Sequence, residues 1–403
     1  MNPEIELYED ESLESFLLRL SLYQGYERYS HFAEDIWHQT LDQHEAMAGA
    51  FPLELNRVNL YHAQTTSQMR VRVLIHLEKQ LKLNNFGVLR LPLAHSKSQF
   101  SPNYKALNRS GVDYPHAFIR QRFTPICPQC LDEKPYIRQQ WHFIPHQACH
   151  IHGCRLIHHC PECASRLEYQ TTESIEHCEC GYRLTESVAN SASEAERLTA
   201  RWLMGEKFEH RGVMAQDMTR SARYGFLLWY VNRYGESENI SFDAFVESCA
   251  SWPEVFHRDL DCIAEHGDVV RLKTWRRTFF NEAFGSLLND CRYLPSRQLD
   301  KNIVLRAALS FFTKLVANNP SNVKGNIGDI LLSPLEVSTL LSCTTDEVYR
   351  LYEFGEIKAA IHPRMHTKIA SHQSAFTLRS IIEIKLTRMS SESDGLSIYL
   401  PEW

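Results

Sequence analysis

The chain has 403 residues, more than one small domain usually holds, and its 43% hydrophobic and 23% charged residues are typical of an ordered globular protein. A formal net charge of −6 argues against a protein that holds DNA mainly by neutralising phosphates, so we expect protein partners. The N-terminus lacks the pattern of a secretory signal, and no stretch approaches the roughly 18 apolar residues of a membrane span. We therefore expect a cytoplasmic protein that does not bind membranes.

The N-terminal region carries three stretches with apolar residues at helical spacing. We predict helices over Ser12–Gly25, Tyr29–Asp42 and Ser67–Leu83. Gly25 is a natural stop for the first of them. These helices predict a small helical domain over residues 1–115, for which a helix-turn-helix arrangement is one option.

Cysteines are concentrated in the next region, which we place at residues 116–190. Eight of the twelve lie between positions 127 and 180. Disulfides do not persist in the cytosol, so grouped cysteines there indicate metal ligands. Pairs of Cys or His separated by one to three residues allow both side chains of a turn to reach one tetrahedral ion.

The spacing predicts two zinc sites in tandem. We assign Cys127, Cys130, Cys149 and His152 to the first site, and Cys160, Cys163, Cys178 and Cys180 to the second. Two alternatives stay open. His150 or His146 could replace His152, and His177 could replace Cys178 or Cys180. Cys154 is left over, and we interpret it as a small apolar filler.

Both predicted sites offer four protein ligands. A catalytic zinc ion usually has three and keeps one position open for water, so we expect structural sites. His177-Cys178-Glu179 superficially matches the H-x-E of zinc deaminases. In those enzymes a P-C-x-x-C pair follows that motif, whereas here the Cys160/Cys163 pair precedes it. The sequence therefore predicts no catalytic residues and no enzymatic activity.

The remainder of the chain again has helical patterns, which we divide into a helical domain at residues 191–320 and a C-terminal domain at residues 321–403. Within the latter, Leu332–Ile361 reads as helix, tight turn, helix and a Gly turn into a hairpin, which resembles an excisionase-like winged helix-turn-helix module. Its second helix begins with Thr345, Asp346 and Glu347, where a DNA-reading helix would normally offer Arg, Lys, Asn or Gln. We expect this module to contact protein. Together these patterns predict a mainly α, multidomain helical protein with helix-turn-helix modules and two tandem structural zinc-binding motifs.

An ordered set of motifs resembles the TniQ family of transposition target-site selectors, which also includes TnsD proteins. The set consists of Glu11-Ser12-Leu13-Glu14-Ser15-Phe16 with Arg19 and Gly25, Cys127-Pro-x-Cys130, Trp141, Cys149-x-x-His152-Gly153, Leu156 and Cys160-Pro-x-Cys163. At position 24 the chain has Gln where the family has Asn. The resemblance covers the first 185 residues well and the rest only through its general helical character.

The resemblance implies a bacterial adaptor that links target recognition to an AAA+ ATPase regulator of the TnsC type and hence to the transposase. Relatives of similar length, from CRISPR-associated transposons, form a head-to-tail homodimer on a Cascade complex. They contact its crRNA-binding endonuclease subunit and the adjacent backbone subunit, so guide RNA and target DNA are reached mainly indirectly. The alternative is a protein that recognises a transposon attachment site directly, as longer relatives do.

Overall fold

The protein is built mainly of α-helices, which confirms the predicted fold class. The computed structural model describes residues 5–41, 45–58, 68–82, 87–100, 105–235, 240–274, 278–296, 298–361 and 369–393. The helices up to residue 172 are α1 (Leu13–Tyr23), α2 (Tyr29–Leu41), α3 (Glu45–Ala48), α4 (Gln68–Gln80), α5 (Pro128–Glu133) and α6 (Tyr169–Thr172). The later helices are α7 (Glu194–Leu203), α8 (Arg220–Tyr234), α9 (Phe242–Ala250), α10 (Glu254–Thr274), α11 (Phe280–Phe284), α12 (Leu287–Arg292), α13 (Ile303–Asn318), α14 (Pro334–Leu341), α15 (Thr345–Glu353) and α16 (Leu378–Ser393). The strands are β1 (Ala94–Gln99), β2 (Lys105–Arg109), β3 (Val112–Tyr114), β4 (Leu331–Leu332) and β5 (Phe376–Thr377).

The chain folds into two compact units. The first unit comprises Met1–Phe208 with Thr219–Val246, and the second comprises Glu209–Met218 with Glu247–Trp403. The finer division into four domains, at 1–115, 116–190, 191–320 and 321–403, stays a prediction. None of the helices in the described parts of the chain has both the length and the apolarity that crossing a bilayer requires.

The first helix forms where the sequence predicts it. The Ser12 hydroxyl accepts a hydrogen bond from the Ser15 N–H at 3.2 Å and so caps the N-terminus of α1. After α1 the chain turns at Gly25, whose φ of +87° suits glycine. The predicted second helix coincides with α2. The third coincides with α4, although both ends of that prediction lie outside the described residues.

A small antiparallel sheet, with strand order β1-β2-β3, follows the N-terminal helices. The sequence analysis did not predict it. Strands β2 and β3 are joined by Ser110 and Gly111, both with positive φ, and Arg109 pairs with Val112 across that turn. Two consecutive left-handed residues are the signature of a tight hairpin turn.

The N-terminal helices and the cysteine-rich residues 116–190, called the cysteine region below, share one hydrophobic core. Phe16 and Phe32 from the helices belong to the same buried cluster as Trp141, Cys127 and Cys160. A residue such as Trp141, which is 1% exposed, is therefore packed between parts of the chain that are distant in sequence. This common core fixes α1 against the cysteine region.

The second unit contains the predicted helix-turn-helix. Helices α14 and α15 are joined at Ser342, which has a left-handed conformation with φ +57°. Strands β4 and β5 pair next to α14, and α16 follows β5 directly. The predicted Gly turn is present at Gly355, with φ +76°, but the described residues 355–361 after it contain no strand, and residues 362–368 lie outside the described part of the chain.

Candidate metal centres

The first cluster brings together Cys127, Cys130, Cys149 and His152, whose ligand atoms all lie within 4.8 Å of one another. Cys127 precedes α5, whose first residue is Pro128. The second cysteine therefore follows one helical turn later, on the same side of the chain. The other half is a turn in which the Gly153 N–H donates to the Cys149 carbonyl at 2.9 Å.

The distances in this cluster match a tetrahedral zinc site. With Zn–S of about 2.3 Å and Zn–N of about 2.0 to 2.1 Å, neighbouring ligand atoms should lie about 3.8 Å apart for two sulfurs and about 3.5 Å for sulfur and nitrogen. The Cys130 and Cys149 Sγ atoms are 3.5 Å apart. His152 Nδ1 lies 3.5 Å from Cys127 Sγ, 3.3 Å from Cys130 Sγ and 3.7 Å from Cys149 Sγ. These separations are compatible with four donors around one ion.

His152, and neither of the alternative histidines, occupies the fourth position of this cluster. Its Nδ1 faces the thiols, and its Nε2 lies 2.9 Å from Glu133 Oε1. A carboxylate on the outer nitrogen orients a ligating imidazole and fixes its tautomer. His146 instead lies with its Nε2 2.7 Å from the Tyr224 hydroxyl. Sequence reasoning missed Glu133, which carries no signal beyond its position at the end of α5.

Cys154 is buried against the same cluster. Its Sγ lies 3.4 Å from Cys127 Sγ. It does not belong to the group of four mutually close donors. Cys154, which we interpreted as an apolar filler, thus packs directly against Cys127, a predicted ligand.

The second cluster consists of Cys160, Cys163, Cys178 and Cys180, again with all donor atoms within 4.8 Å of one another. Cys160 and Cys180 Sγ are 3.7 Å apart, and Cys163 and Cys178 Sγ are 3.6 Å apart. Both values are close to the sulfur–sulfur separation of about 3.8 Å for tetrahedral zinc. His177 is not part of the group.

Two tight turns present the cysteines of the second cluster. The Ala164 N–H donates to the Cys160 carbonyl, and the Gly181 N–H donates to the Cys178 carbonyl, both at 2.9 Å. Ser165, which the sequence analysis did not single out, has its hydroxyl 2.9 Å from Cys163 Sγ. This contact lowers the pKa of the Cys163 thiol to about 6, which favours the thiolate that a metal binds.

Both clusters could hold metal ions, and each would surround its ion with four protein donors. Such closed coordination leaves no position for a substrate or a reactive water, as in structural sites. The ligand roles of the eight side chains stay a prediction.

A buried polar network joins α1 to the residues that follow α5. It gives a structural role to several residues of the N-terminal motif, which begins at Glu11. Glu11 accepts hydrogen bonds from the Ser15 hydroxyl at 2.8 Å and from Arg19 at 2.6 Å. The Ile137 N–H donates to Ser15 Oγ at 2.9 Å, and the Ser12 N–H donates to the Ile137 carbonyl at 3.0 Å. The motif therefore attaches the helix to the residues just after α5.

Two carboxyls in this network are buried enough to change their titration. Burial raises the pKa of Glu11 to about 7, although Arg19 opposes the shift. Burial also raises the pKa of Glu14 to about 7. Only one oxygen of Glu14 has a partner in the described structure, the side-chain amide of Gln170 at 3.1 Å.

The N-terminal turn of α15 is acidic, as the sequence predicted. Thr344 caps the helix by accepting from the Glu347 N–H at 3.1 Å. Asp346 is exposed, and Glu347 forms an ion pair with Arg350 at 3.5 Å. Asp346 and Glu347 favour the positive end of the helix dipole but would repel a phosphate.

The chain is thus largely helical and carries two four-donor clusters that could hold metal ions. The protein family described as TniQ matches this chain over residues 3–156. Residues 3–156 therefore constitute a TniQ domain, which confirms the family resemblance and implies a role in transposition target selection. No curated protein matches the chain.

Proposed function

We propose that this protein is a non-enzymatic adaptor that links an RNA-guided Cascade complex to an AAA+ regulator and its transposase. The observation that carries this proposal is the TniQ domain at residues 3–156. The two closed clusters support it, because their four donors leave no open coordination position for catalysis.

We infer that both clusters bind structural Zn²⁺. Thiolates and imidazole are the ligands that zinc prefers in tetrahedral sites, and the separations of 3.3–3.7 Å between His152 Nδ1 and the sulfurs of the first cluster suit that ion. Bound there, zinc would cross-link the turns that carry its donors. Elemental analysis of protein purified without added metal should find two zinc ions per chain. A content near zero, or a different metal, would contradict the inference.

Electrostatics favours guided target selection over direct reading of DNA by this protein. The chain carries a net charge of −6, and the first turn of α15 presents Asp346 and Glu347 where a base-reading helix would carry donors. In a guided system, base pairing with the guide RNA selects the sequence, so the adaptor needs no reading helix.

The proposed assembly is a head-to-tail homodimer in the bacterial cytoplasm. It would bind the crRNA-binding endonuclease subunit of Cascade and the adjacent backbone subunit, and it would recruit a TnsC-type ATPase. Guide RNA and target DNA would be reached mainly through these partners.

The test is co-elution of the zinc-loaded protein with its transposon's Cascade and guide RNA in size-exclusion chromatography, beside a salt-titrated binding assay on attachment-site DNA. The adaptor function predicts two copies per Cascade and negligible binding to DNA alone. Tight DNA binding that weakens steeply with salt, without Cascade, would instead identify a protein that reads its attachment site directly.

A further inference from the structure

A cavity of about 700 Å³ with a mixed polar and apolar lining lies in the first unit, and none of its lining residues is a donor of either cysteine cluster. Its walls come from the N-terminal arm at residues 7–10, the turn around Arg90, the β2–β3 turn, residues 139–140, and the junction of α7 with α8. Gly87 permits the close approach of the arm, because a β-carbon there would lie 2.8 Å from Leu7 Cδ1. A volume of this size suits a ligand of a few residues.

The lining of this cavity has a surplus of positive charge. Three arginines, Arg90, Arg109 and Arg220, face two acidic residues, Glu9 and Asp10. Asp10 is already neutralised, because it accepts hydrogen bonds from Arg138 and from the Tyr136 hydroxyl. Arg138 lowers the pKa of the Asp10 carboxyl, although burial opposes this effect. Arg109 also interacts with the buried carboxyls of Glu11 and Glu14, but Arg90 and Arg220 together outweigh Glu9, so the lining favours an anionic ligand.

Two of the three guanidinium groups are held in place before any ligand arrives. Arg109 is 6% exposed and donates to the carbonyls of Glu9 and Glu11 at 2.7 Å each. Arg220 donates to the Leu203 carbonyl at 3.2 Å and to the Tyr114 hydroxyl at 3.4 Å. Groups that are ordered in advance lose less entropy on binding. Arg90 is exposed and can adjust to the ligand.

The aromatic rings in the wall are already engaged by other groups. Tyr8 stacks on Tyr136 at a centroid distance of 4.3 Å, and Lys134 Nζ lies 4.6 Å from the centre of the Tyr8 ring. Tyr114 stacks on Phe143 at 4.5 Å and is 5% exposed. Single-stranded nucleic acids usually bind through free aromatic faces on which bases stack, and these two rings do not offer such a platform.

Apolar side chains complete the wall. Leu7, Leu91 and Met204 line the cavity together with the arginines. Carboxylates paired with apolar side chains would match this mixture, since Arg90 and Arg220 can bind oxyanions while the aliphatic groups bury carbon atoms.

We propose that this cavity binds an acidic, partly apolar peptide segment of a partner protein. The assignment of the ligand to a protein rests on the proposed adaptor function, whereas the preference for carboxylates rests on the charges of the cavity. The segment would place side-chain carboxylates toward Arg90 and Arg220 and aliphatic side chains toward Leu91 and Met204.

The test is fluorescence anisotropy of the purified, zinc-loaded protein with a labelled peptide of alternating Glu and Leu residues. The Arg90→Glu variant should weaken binding by about tenfold or more, because an attraction becomes a repulsion. Glu9→Gln should tighten it by about threefold, since it removes the one unneutralised acidic group of the lining. Arg57→Glu, a charge reversal at an exposed residue that does not line the cavity, should leave the affinity unchanged.

Three outcomes would overturn the proposal. One is absence of peptide binding, and another is equal loss of binding in Arg90→Glu and Arg57→Glu. The third is tighter binding of a labelled thymidine octanucleotide with the same dependence on Arg90, which would make the cavity a phosphate site. Co-elution with Cascade that survives without peptide binding would reject this site but not the adaptor function. Peptide binding without co-elution would reject the adaptor function but not this site.

Discussion

The eight clustered Cys and His side chains are the residues on which the fold of the cysteine region should depend most. Structural zinc contributes roughly 10 to 16 kcal/mol of apparent binding free energy, which is comparable with the roughly 5 to 15 kcal/mol of stability of a whole domain. Cys127→Ser and Cys160→Ser should each reduce the zinc content from two ions to one per chain and make the protein sensitive to proteases. Elemental analysis and limited proteolysis measure both effects.

Cys154→Ser is the matched control for these variants. Cys154 lies 3.4 Å from Cys127 Sγ but outside the group of four donors. The control should therefore retain two zinc ions. Loss of an ion in Cys154→Ser, or two retained ions in Cys127→Ser, would show that the first site uses a different set of ligands.

Glu14 should make the stability of the protein depend on pH. Its pKa is raised from an ordinary value of 4.5 to about 7 by burial, so the folded state favours the protonated form. The contribution of a group with a raised pKa is fully present below pH 4.5 and is lost as the pH rises through about 7.

Glu14→Gln mimics the protonated carboxyl and provides the reference for this effect. Between pH 6 and pH 8.5, the free energy of unfolding of the wild type should fall by about 1.4 kcal/mol relative to Glu14→Gln. Denaturant unfolding of both proteins at the two pH values measures this difference. Parallel behaviour of the two proteins would mean that Glu14 is ionised in the folded state at both pH values.

At the scale of secondary structure, the turn between α14 and α15 depends on Ser342. Its φ of +57° is unfavourable for a residue with a β-carbon, and its buried hydroxyl has no hydrogen-bond partner in the described structure. Ser342→Gly removes both costs and should stabilise the fold by up to about 1 kcal/mol. Ser342→Val should destabilise it by about 1 to 2 kcal/mol, because β-branched residues avoid positive φ.

Thermal unfolding of the two Ser342 variants tests this turn, with Ser338 as the position for control substitutions. Ser338 lies within α14 and has ordinary helical geometry. Glycine there should lower the melting temperature, since glycine is a poor helix former. If Ser342→Gly and Ser338→Gly were equally destabilising, the left-handed conformation of Ser342 would be incorrect.

The helices were predictable from sequence because their apolar residues recur at helical spacing. Leu13, Phe16 and Leu17 in α1 are all fully buried, as their spacing indicates. The sheet at residues 94–114 was missed because β1 reads Ala-His-Ser-Lys-Ser-Gln, without the apolar alternation of a half-buried strand. The Ser110-Gly111 pair was a turn signal that could have identified the hairpin.

The candidate ligands could be identified from sequence because close pairs of Cys and His are rare outside metal sites. The residues that surround these candidate ligands could not be identified from sequence. Glu133 contacts the candidate ligand His152, and Ser165 contacts the candidate ligand Cys163, only in the folded chain. Likewise, the cavity arginines come together only when segments about 130 residues apart, around Arg90 and Arg220, are folded.

For the molecule as a whole, the two compact units predict that metal removal has a regional effect. Chelation should unfold the cysteine region and also loosen α1, because Ser12 and Ser15 hydrogen-bond to Ile137. Helices α13 and α14 belong to the second unit and should keep their protection. Hydrogen exchange with mass spectrometry, before and after chelation, measures this pattern. Equal loss of protection in α13 would mean that the chain unfolds as one cooperative body.

The attachment of α1 to Ile137 has a consequence for how the chain is made. Ser15 and Ile137 are 122 positions apart, so the helix leaves the ribosome well before its partner is synthesised. At roughly 5 to 20 residues per second, this interval lasts roughly 6 to 25 s. During that time α1 can pack on α2 but lacks the neighbours that the cysteine region supplies. Chaperones that hold nascent chains should therefore bind the N-terminal segment until the cysteine region has been translated.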